Sequence, residues 1–351
     1  MLFLYVIGYN KIDLRRLKEM RIMTKITIRD VARESGVSIS TVSQILNGRT
    51  KHFNKDTIKR VLQVKDDLNY EADYFAKRMI DKKSRTVGVL VPSISNPFFS
   101  KLLEGIESIL FTHRYVPIFS VVNRENQKEI NTLDELIHRG VDGFIIASDA
   151  ITDNIITDKL LNQYPFIVLD QKQSLNSLDT ILTNDFTGGQ LAAEHLNQLG
   201  HRTAAIVAPK HTTGNIEQRI AGFKSVFSGE TILFNAYLTK ESGITIVPDI
   251  VSVKAITSIF TVSDEIAFGI YFGLKNLHKS IPKDYSLIGY DNTDMCEYVT
   301  PKLTTINQPA FLIGETAANL LLNRIVSKQA TRKNAEISVE LIVRESTAHL
   351  K

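Results

Sequence analysis

The chain has 351 residues, 43% of them hydrophobic and 23% charged, with a single cysteine, Cys296. That length exceeds one small core and asks for two or three folding units; a lone cysteine excludes an intrachain disulfide and fits a reducing cytoplasm. Charge is uneven: residues 1–84 carry 18 Lys and Arg against 10 Asp and Glu, whereas residues 85–351 carry 24 against 28. A basic small part joined to a slightly acidic large part points to a polyanion as partner of the first part only.

The apolar run MLFLYVIGY precedes the first charges, the reverse of a secretory signal, and no small-residue cleavage site follows. It is also far short of the roughly 20 residues that span a bilayer. Met20 and Met23 stand just before the first recognisable element. Residues 1–23 therefore read as an extension outside the folded domain, with a misassigned start as the expected origin.

Residues 24–70 read as three short helices. Thr27-Ile28-Arg29-Asp30 has the spacing of a capping box, with Asp in place of the usual Glu. Ile28, Val31 and Ala32 share one helical face, and Gly36 supplies a C-cap. Ser38 then caps a second helix whose buried stripe is Val42, Ile45 and Leu46, ended by Asn47-Gly48. Asn54 caps a third, carrying Ile58, Val61, Leu62 and Leu68. Two short helices joined by about three residues, with a third closing the core, form a helix-turn-helix. The opposite face of the second helix carries Ile39, Ser40, Ser43 and Gln44. Short polar side chains let a helix enter the major groove, and Gln44 can form a bidentate bond to adenine. A generic three-helix domain with no nucleic-acid role is the plain alternative.

From Arg85 onward, RTVGVLVP, VPIFSVV, DGFIIAS and PFIVLD read as buried parallel strands with helices between them. A second series is expected from TILTND, TAAIVAP, SIFTVSD and SLIGYDN. Two such sets make two doubly wound lobes with a ligand crevice at the carboxyl ends of their strands. Neither a G-x-G-x-x-G after a first strand nor a P-loop appears, and Gly188-Gly189 fits close helix packing. His113, His195 and His201 read as helix-surface or turn residues, and no nucleophile–base set or metal-ligand cluster marks an enzyme.

TIRDVARESGVSISTVSQILNG resembles the DNA-binding signature of the lactose-repressor family of bacterial transcription regulators. The resemblance runs on through SNPFFSKLLEGIE, GVDGFIIAS, EQRIAGF, SDEIAFG, LIGYDN and ELIVREST, covering about residues 24–348. It implies a helix-turn-helix domain (24–70), a hinge helix (71–84) and a two-lobed effector domain (85–351) with the fold of periplasmic sugar-binding proteins. Base choice would fall to Ile39, Ser40 and Gln44. Phosphate contacts would fall to Thr41, Ser43, Asn47 and His52, with Thr27 and Ser38 at the same surface. From the hinge, Ala76 and Met79 would reach the minor groove, Met79 standing where the family has a leucine wedge. Ala72-Asp73 replaces the family's Pro-Asn, which loosens the hinge entry.

SNPFF is most similar to the ribose-binding branch. That likeness implies a sugar held by Asn96, Phe98, Phe99, Asp170, Arg219, Asp291 and Gln308, with Gln171 and Ser263 as departures from the branch pattern. Planar carboxylate, amide and guanidinium groups suit paired hydroxyls, and aromatic rings cover C–H faces. The plain alternatives are lobe core for a phenylalanine, a turn cap for Asp291 and a surface ion pair for Arg219. The resemblance thus implies a cytoplasmic, nucleoid-associated sugar-responsive repressor, with double-stranded operator DNA and a small sugar as partners and neither cofactor nor metal. Ribose or another pentose comes first, ahead of hexoses and phosphorylated sugars. Two symmetric DNA-binding domains and two hinges imply a homodimer, and without the C-terminal heptad tail of the family's tetramers after TAHLK a dimer is the expected state. Between Gly222-Phe223 and Ser263-Asp264 it is some ten residues shorter than the family pattern, and residues 229–257 cannot be placed from sequence.

Overall fold

The computed structural model describes residues 26–71, 83–122, 125–147, 159–160, 163–169, 179–327 and 334–350. The extension, the hinge residues Ala72, Asp73, Ala76 and Met79, and the pair Asp170 and Gln171 lie outside the described residues. The chain divides into two compact units, Met1–Lys83 and Ser84–Lys351.

In the first unit, α1 (Ile28–Ser35), α2 (Ile39–Leu46) and α3 (Lys55–Asp67) form where the caps direct. The Thr27 backbone N–H and hydroxyl both donate to the Asp30 carboxylate, at 3.0 and 2.7 Å. Gly36 turns the chain at φ +68°, a conformation that disfavours a Cβ. Ser38 Oγ accepts the Thr41 N–H at 3.1 Å, and Asn54 Oδ1 accepts that of Thr57 at 2.7 Å. Val31, Ala32, Val42, Ile45 and Val61 meet in one core, closed by Tyr70. Each large apolar side chain so buried contributes about 1.5–3 kcal/mol, enough to hold helices too short to persist alone.

The second unit begins with β1 (Thr86–Val91), α4 (Pro97–Thr112), β2 (Val116–Val121), α5 (Asn126–His138), β3 (Gly143–Ile146), β4 (Phe166–Leu169) and β5 (Thr180–Thr183). There follow α6 (Asp185–Gln198), β6 (Thr203–Ala208), α7 (Gly214–Val226), β7 (Glu230–Asn235), α8 (Lys240–Thr245) and α9 (Val247–Ser252). Next come β8 (Ser258–Thr261), α10 (Asp264–Asn276), β9 (Ser286–Asp291), β10 (Thr304–Asn307), α11 (Ala310–Val326), β11 (Asn334–Ile337) and β12 (Glu340–Ile342).

Two six-stranded sheets result, ordered β11-β5-β4-β3-β1-β2 and β12-β10-β9-β8-β6-β7, all parallel except the β10–β12 pair. The chain crosses between lobes three times: from β5 into α6, from β10 into α11, and from β11 into β12. Gly188 and Gly189 serve the close packing expected of them. A Cβ on Gly189 would sit 2.1 Å from the Arg219 carbonyl oxygen, so only glycine lets α6 and α7 approach this closely.

Three expectations need correction, and one stretch left unplaced from sequence gains its elements. TILTND supplies β5 of the first sheet, not the start of the second series; a short apolar run carries no mark of which sheet it will join. VPIFSVV forms β2, an edge strand left half exposed rather than buried. Residues 229–257 contain β7, α8 and α9 of the second lobe. His201 is neither a helix-surface nor an open turn residue. It is buried, its ring nitrogens within 2.8 Å of Thr257 Oγ1 and 2.9 Å of Ser286 Oγ, and burial pulls its pKa down.

Candidate functional site

The crossing points put the candidate site side chains at strand ends and helix starts. Asn96 caps α4, its Oδ1 accepting the Phe98 N–H at 2.9 Å, with Pro97 setting the first turn. Phe98 and Phe99 then meet edge to face, ring centroids 5.2 Å apart, against the first lobe's core. They are core and cleft wall at once. From the second lobe come Arg219 on α7, Ser263 at the cap of α10 and Asp291 at the end of β9. Gln308 follows β10 at the second crossing. All seven line one cleft between the lobes, about 740 Å³ of empty space partly open to solvent.

The polar floor of the cleft is a buried network. Arg219 Nε donates to Asp185 Oδ1 at 2.8 Å, and its Nη1 donates to the Val262 carbonyl at 2.7 Å. Nη1 also lies 3.9 Å from Asp291, and the guanidinium stacks over Tyr290 with 3.8 Å to the ring centroid. Gln308 Nε2 donates to Asp291 Oδ1 at 2.6 Å, and Ser263 Oγ to its Oδ2 at 3.2 Å. Burial disfavours a charged Arg219, but the carboxylates of Asp185 and Asp291 and the Tyr290 oxygen outweigh it, and its pKa is raised. Burial pushes Asp291 upward, against the pull of Arg219. Asp291 also sits at φ +122°, a strained backbone held by the surrounding packing, as is common at binding sites.

Asp291 is thus a hydrogen-bonded acceptor facing a cation, not a turn cap, and Arg219 is no surface ion pair. Sequence reasoning missed Asp185, which completes the Arg219 pair and also accepts from Tyr290 Oη at 2.9 Å and Thr183 Oγ1 at 2.6 Å. It also missed Thr213, Asn215 and Leu238 in the lining. Asn215 lies one helical turn before Arg219, so i, i+4 spacing was the available signal.

In the first unit, α2 turns Val42 and Ile45 inward and leaves Ile39 45% exposed, with Ser40, Gln44 and Asn47 open beside it. Ser38 Oγ contacts the hydroxyls of Ser40 at 2.8 Å and Thr41 at 2.9 Å. Asn47 Nδ2 donates to the Ser43 carbonyl at 2.9 Å, which leaves its Oδ1 outward. Thr41 and Ser43 are half-buried; Thr27 and His52 are exposed. Among the described residues no group of three or more His, Cys, Asp or Glu is placed to hold a metal. No helix among them is long and apolar enough to cross a membrane.

Residues 27–73 match the model of the bacterial regulatory proteins of the lacI family, and residues 193–347 match a periplasmic binding protein-like domain. The HTH-type transcriptional repressor PurR of Vibrio vulnificus is 31% identical over 330 residues, covering 91% of this chain and 98% of that protein.

The chain belongs to the lacI family.

It is a helix-turn-helix transcription repressor with an effector-binding domain, and not an enzyme. Among solved structures, a LacI family regulator from Enterococcus faecalis V583 with bound ribose is 47% identical, covering 76% of this chain and all of that one, at a TM-score of 0.73. Its counterpart from Enterococcus faecium, also with bound ribose, is 47% identical with a TM-score of 0.72, over 76% of this chain and all of that one. The lac repressor dimer bound to operator and the anti-inducer ONPF shares the repressor's fold, at a TM-score of 0.83 over 93% of this chain and all of that one, with 24% identity.

Proposed function

We propose that the repressor controls a sugar-utilisation operon, and that a pentose, ribose first, bound in the inter-lobe cleft changes its affinity for operator DNA. The observation that carries this reading is the cleft floor: Arg219, Asp291 and Gln308 converge on one space walled by Phe98 and Phe99. Charged, planar hydrogen-bonding groups beside aromatic faces are the chemistry a small polyol requires. The ribose bound in the two enterococcal structures supports the same ligand class. Ser263 stands as a short wall residue, and Asp170 and Gln171 belong to the proposed site from outside the described residues.

The mechanism follows from where the ligand sits. A sugar touching both lobes favours one relative lobe orientation, and operator affinity would follow that orientation. The repressor acts in the cytoplasm as a homodimer on a near-palindromic operator, since two symmetric reading helices require a two-fold site. In each protomer Ile39, Ser40 and Gln44 read bases while Thr41, Ser43, Asn47 and His52, beside Thr27 and Ser38, hold phosphates. Ala76 and Met79 enter the minor groove and bend it. Effector coupling of this kind is typically about 1–3 kcal/mol, roughly 5- to 150-fold in operator affinity.

The test is a sugar panel read by thermal shift, followed by operator titration with each hit. Ribose or another pentose is expected to raise the melting temperature and to change operator affinity at least fivefold. A sugar that stabilises the protein but leaves operator affinity untouched overturns the effector role.

A further inference from the structure

The cation of the cleft is matched from behind. Among the described residues that line the cleft, Arg219 is the one Lys or Arg. Asp185 stands outside that lining, at the start of α6 straight after the first crossing, and is 4% exposed. Its Oδ1 accepts from Arg219 Nε at 2.8 Å, whereas Asp291 lies 3.9 Å from Nη1. Attraction falls with distance and strengthens away from water, so Asp185 is the direct counter-ion and Asp291 the second.

The surrounding residues are built to hold this contact. Tyr290 Oη donates to the same Asp185 oxygen at 2.9 Å, while its ring lies under the guanidinium. Gly188 makes the room for it, because a Cβ there would stand 2.2 Å from Tyr290 Oη. Thr183 Oγ1 donates to the other Asp185 oxygen at 2.6 Å, and the Val262 carbonyl accepts from Arg219 Nη1 at 2.7 Å. Among the described residues nothing accepts from Nη2, which is left for a ligand. A guanidinium held in this way offers a fixed N–H donor to the cleft while its charge is answered within the protein.

Two classes of ligand compete for such a cleft, free pentoses and those carrying a phosphate or carboxylate. A hydroxyl asks only for a donor. An anion enters a buried space in which one guanidinium already faces two carboxylates, Asp185 and Asp291, and it finds no unmatched cation there. We infer that Asp185 is a specificity-determining residue that acts through Arg219: it fixes the guanidinium by Nε and matches its charge, so the cleft takes a neutral pentose and refuses an anionic one. The inference rests on the pentose reading of the cleft and narrows it to uncharged sugars.

Calorimetry on the full chain tests it, with D-ribose, ribose 5-phosphate and D-ribonate, a carboxylate on the same carbon skeleton. The native chain is expected to bind ribose roughly tenfold or more tightly than either anion. Asp185→Asn keeps the local shape. Its oxygen can accept from Arg219 and Tyr290, and its amide can donate to Thr183 Oγ1, whose own hydrogen has Gln308 Oε1 3.5 Å away. Asp185→Ser removes the charge with a smaller side chain. In both variants ribose affinity is expected to fall while at least one anion gains, so that the ribose-to-anion ratio drops roughly tenfold or more. Adding Arg219→Gln is expected to erase the gain. A merely structural role weakens all three ligands alike, and an unchanged ratio overturns the inference. So does a native chain that binds either anion as tightly as ribose, or an anion gain that survives Arg219→Gln. A native chain that binds no pentose removes the pentose reading and this inference with it.

Discussion

The helix α2 and the inter-lobe cleft present the side chains proposed to bind DNA and sugar in opposite ways. On α2, Ile39, Ser40 and Gln44 stand in solvent above a core that needs none of them. In the cleft, Arg219, Asp291 and Gln308 are each buried, with Gln308 donating to Asp291 and Arg219 held by Asp185 beside it. A groove-reading helix must meet a partner that brings its own hydrogen-bonding edges, so its side chains stay free. A small polyol cannot pay for desolvating isolated charges, so the cleft keeps its charges paired and the ligand joins an existing network. The surface site should therefore tolerate mutation without unfolding, and the buried one should not.

The largest test of that contrast is Arg219→Ala. It removes the partner of Asp185 and the stacking cation of Tyr290 while leaving a buried carboxylate uncompensated. Breaking a buried pair this way costs about 3–5 kcal/mol. Chemical unfolding should show a loss of that order, together with loss of the operator response to pentose. A variant as stable as the native chain would mean that Asp185 finds water or another donor, and the cleft would be less closed than its geometry indicates.

Gln44→Ala sits at the other end. A good bidentate contact to a base is worth about 1–3 kcal/mol, so operator affinity should fall roughly 5- to 150-fold, with relaxed preference at one base pair. Melting temperature should stay within error, because Gln44 is outside the core. Equal losses in affinity for operator and unrelated DNA would reassign it from base reading to general backbone contact.

How far the sequence could be read follows the same division. The first unit is built from neighbours in the chain: Thr27 with Asp30, Ser38 with Thr41, Asn54 with Thr57. Its helices and caps were legible because three- and four-residue spacing is all they need. The cleft residues were legible through resemblance to a known family, which supplied Asn96, Phe98, Phe99, Arg219, Ser263, Asp291 and Gln308 together. What no local pattern shows is the partner of a buried charge. Asp185 and Arg219 are 34 residues apart, and Asp185 and Tyr290 are 105 apart. His201 was misjudged for the same reason, since its partners Thr257, just before β8, and Ser286, at the start of β9, are 56 and 85 residues away. Strand TILT could not declare its sheet, because buried runs look alike whichever neighbour they pair with.

The smallest effect concerns pH and should appear on the cleft side alone. Beneath Asp291 lies Asp264, fully buried and accepting from Thr305 Oγ1 at 2.7 Å, the Thr293 N–H at 2.8 Å and Cys296 Sγ at 3.1 Å. Burial pushes its carboxyl up to about 6, against those donors. The unfolded value is near 3.9, so between about pH 4 and 6 the native state holds more proton than the unfolded one. Stability from this group is therefore lost as pH rises across that window. Asp264→Asn lowers stability outright by mismatching donors, but it removes the titration. Its deficit in melting temperature should shrink by roughly 2–4 °C as pH is raised from about 4 to 6. A deficit that stays constant would show Asp264 ionised throughout, held by the donors of Thr305, Thr293 and Cys296. Operator binding by the first unit has no comparable buried acid among its described residues, so the same pH series run on Gln44→Ala should track the native chain.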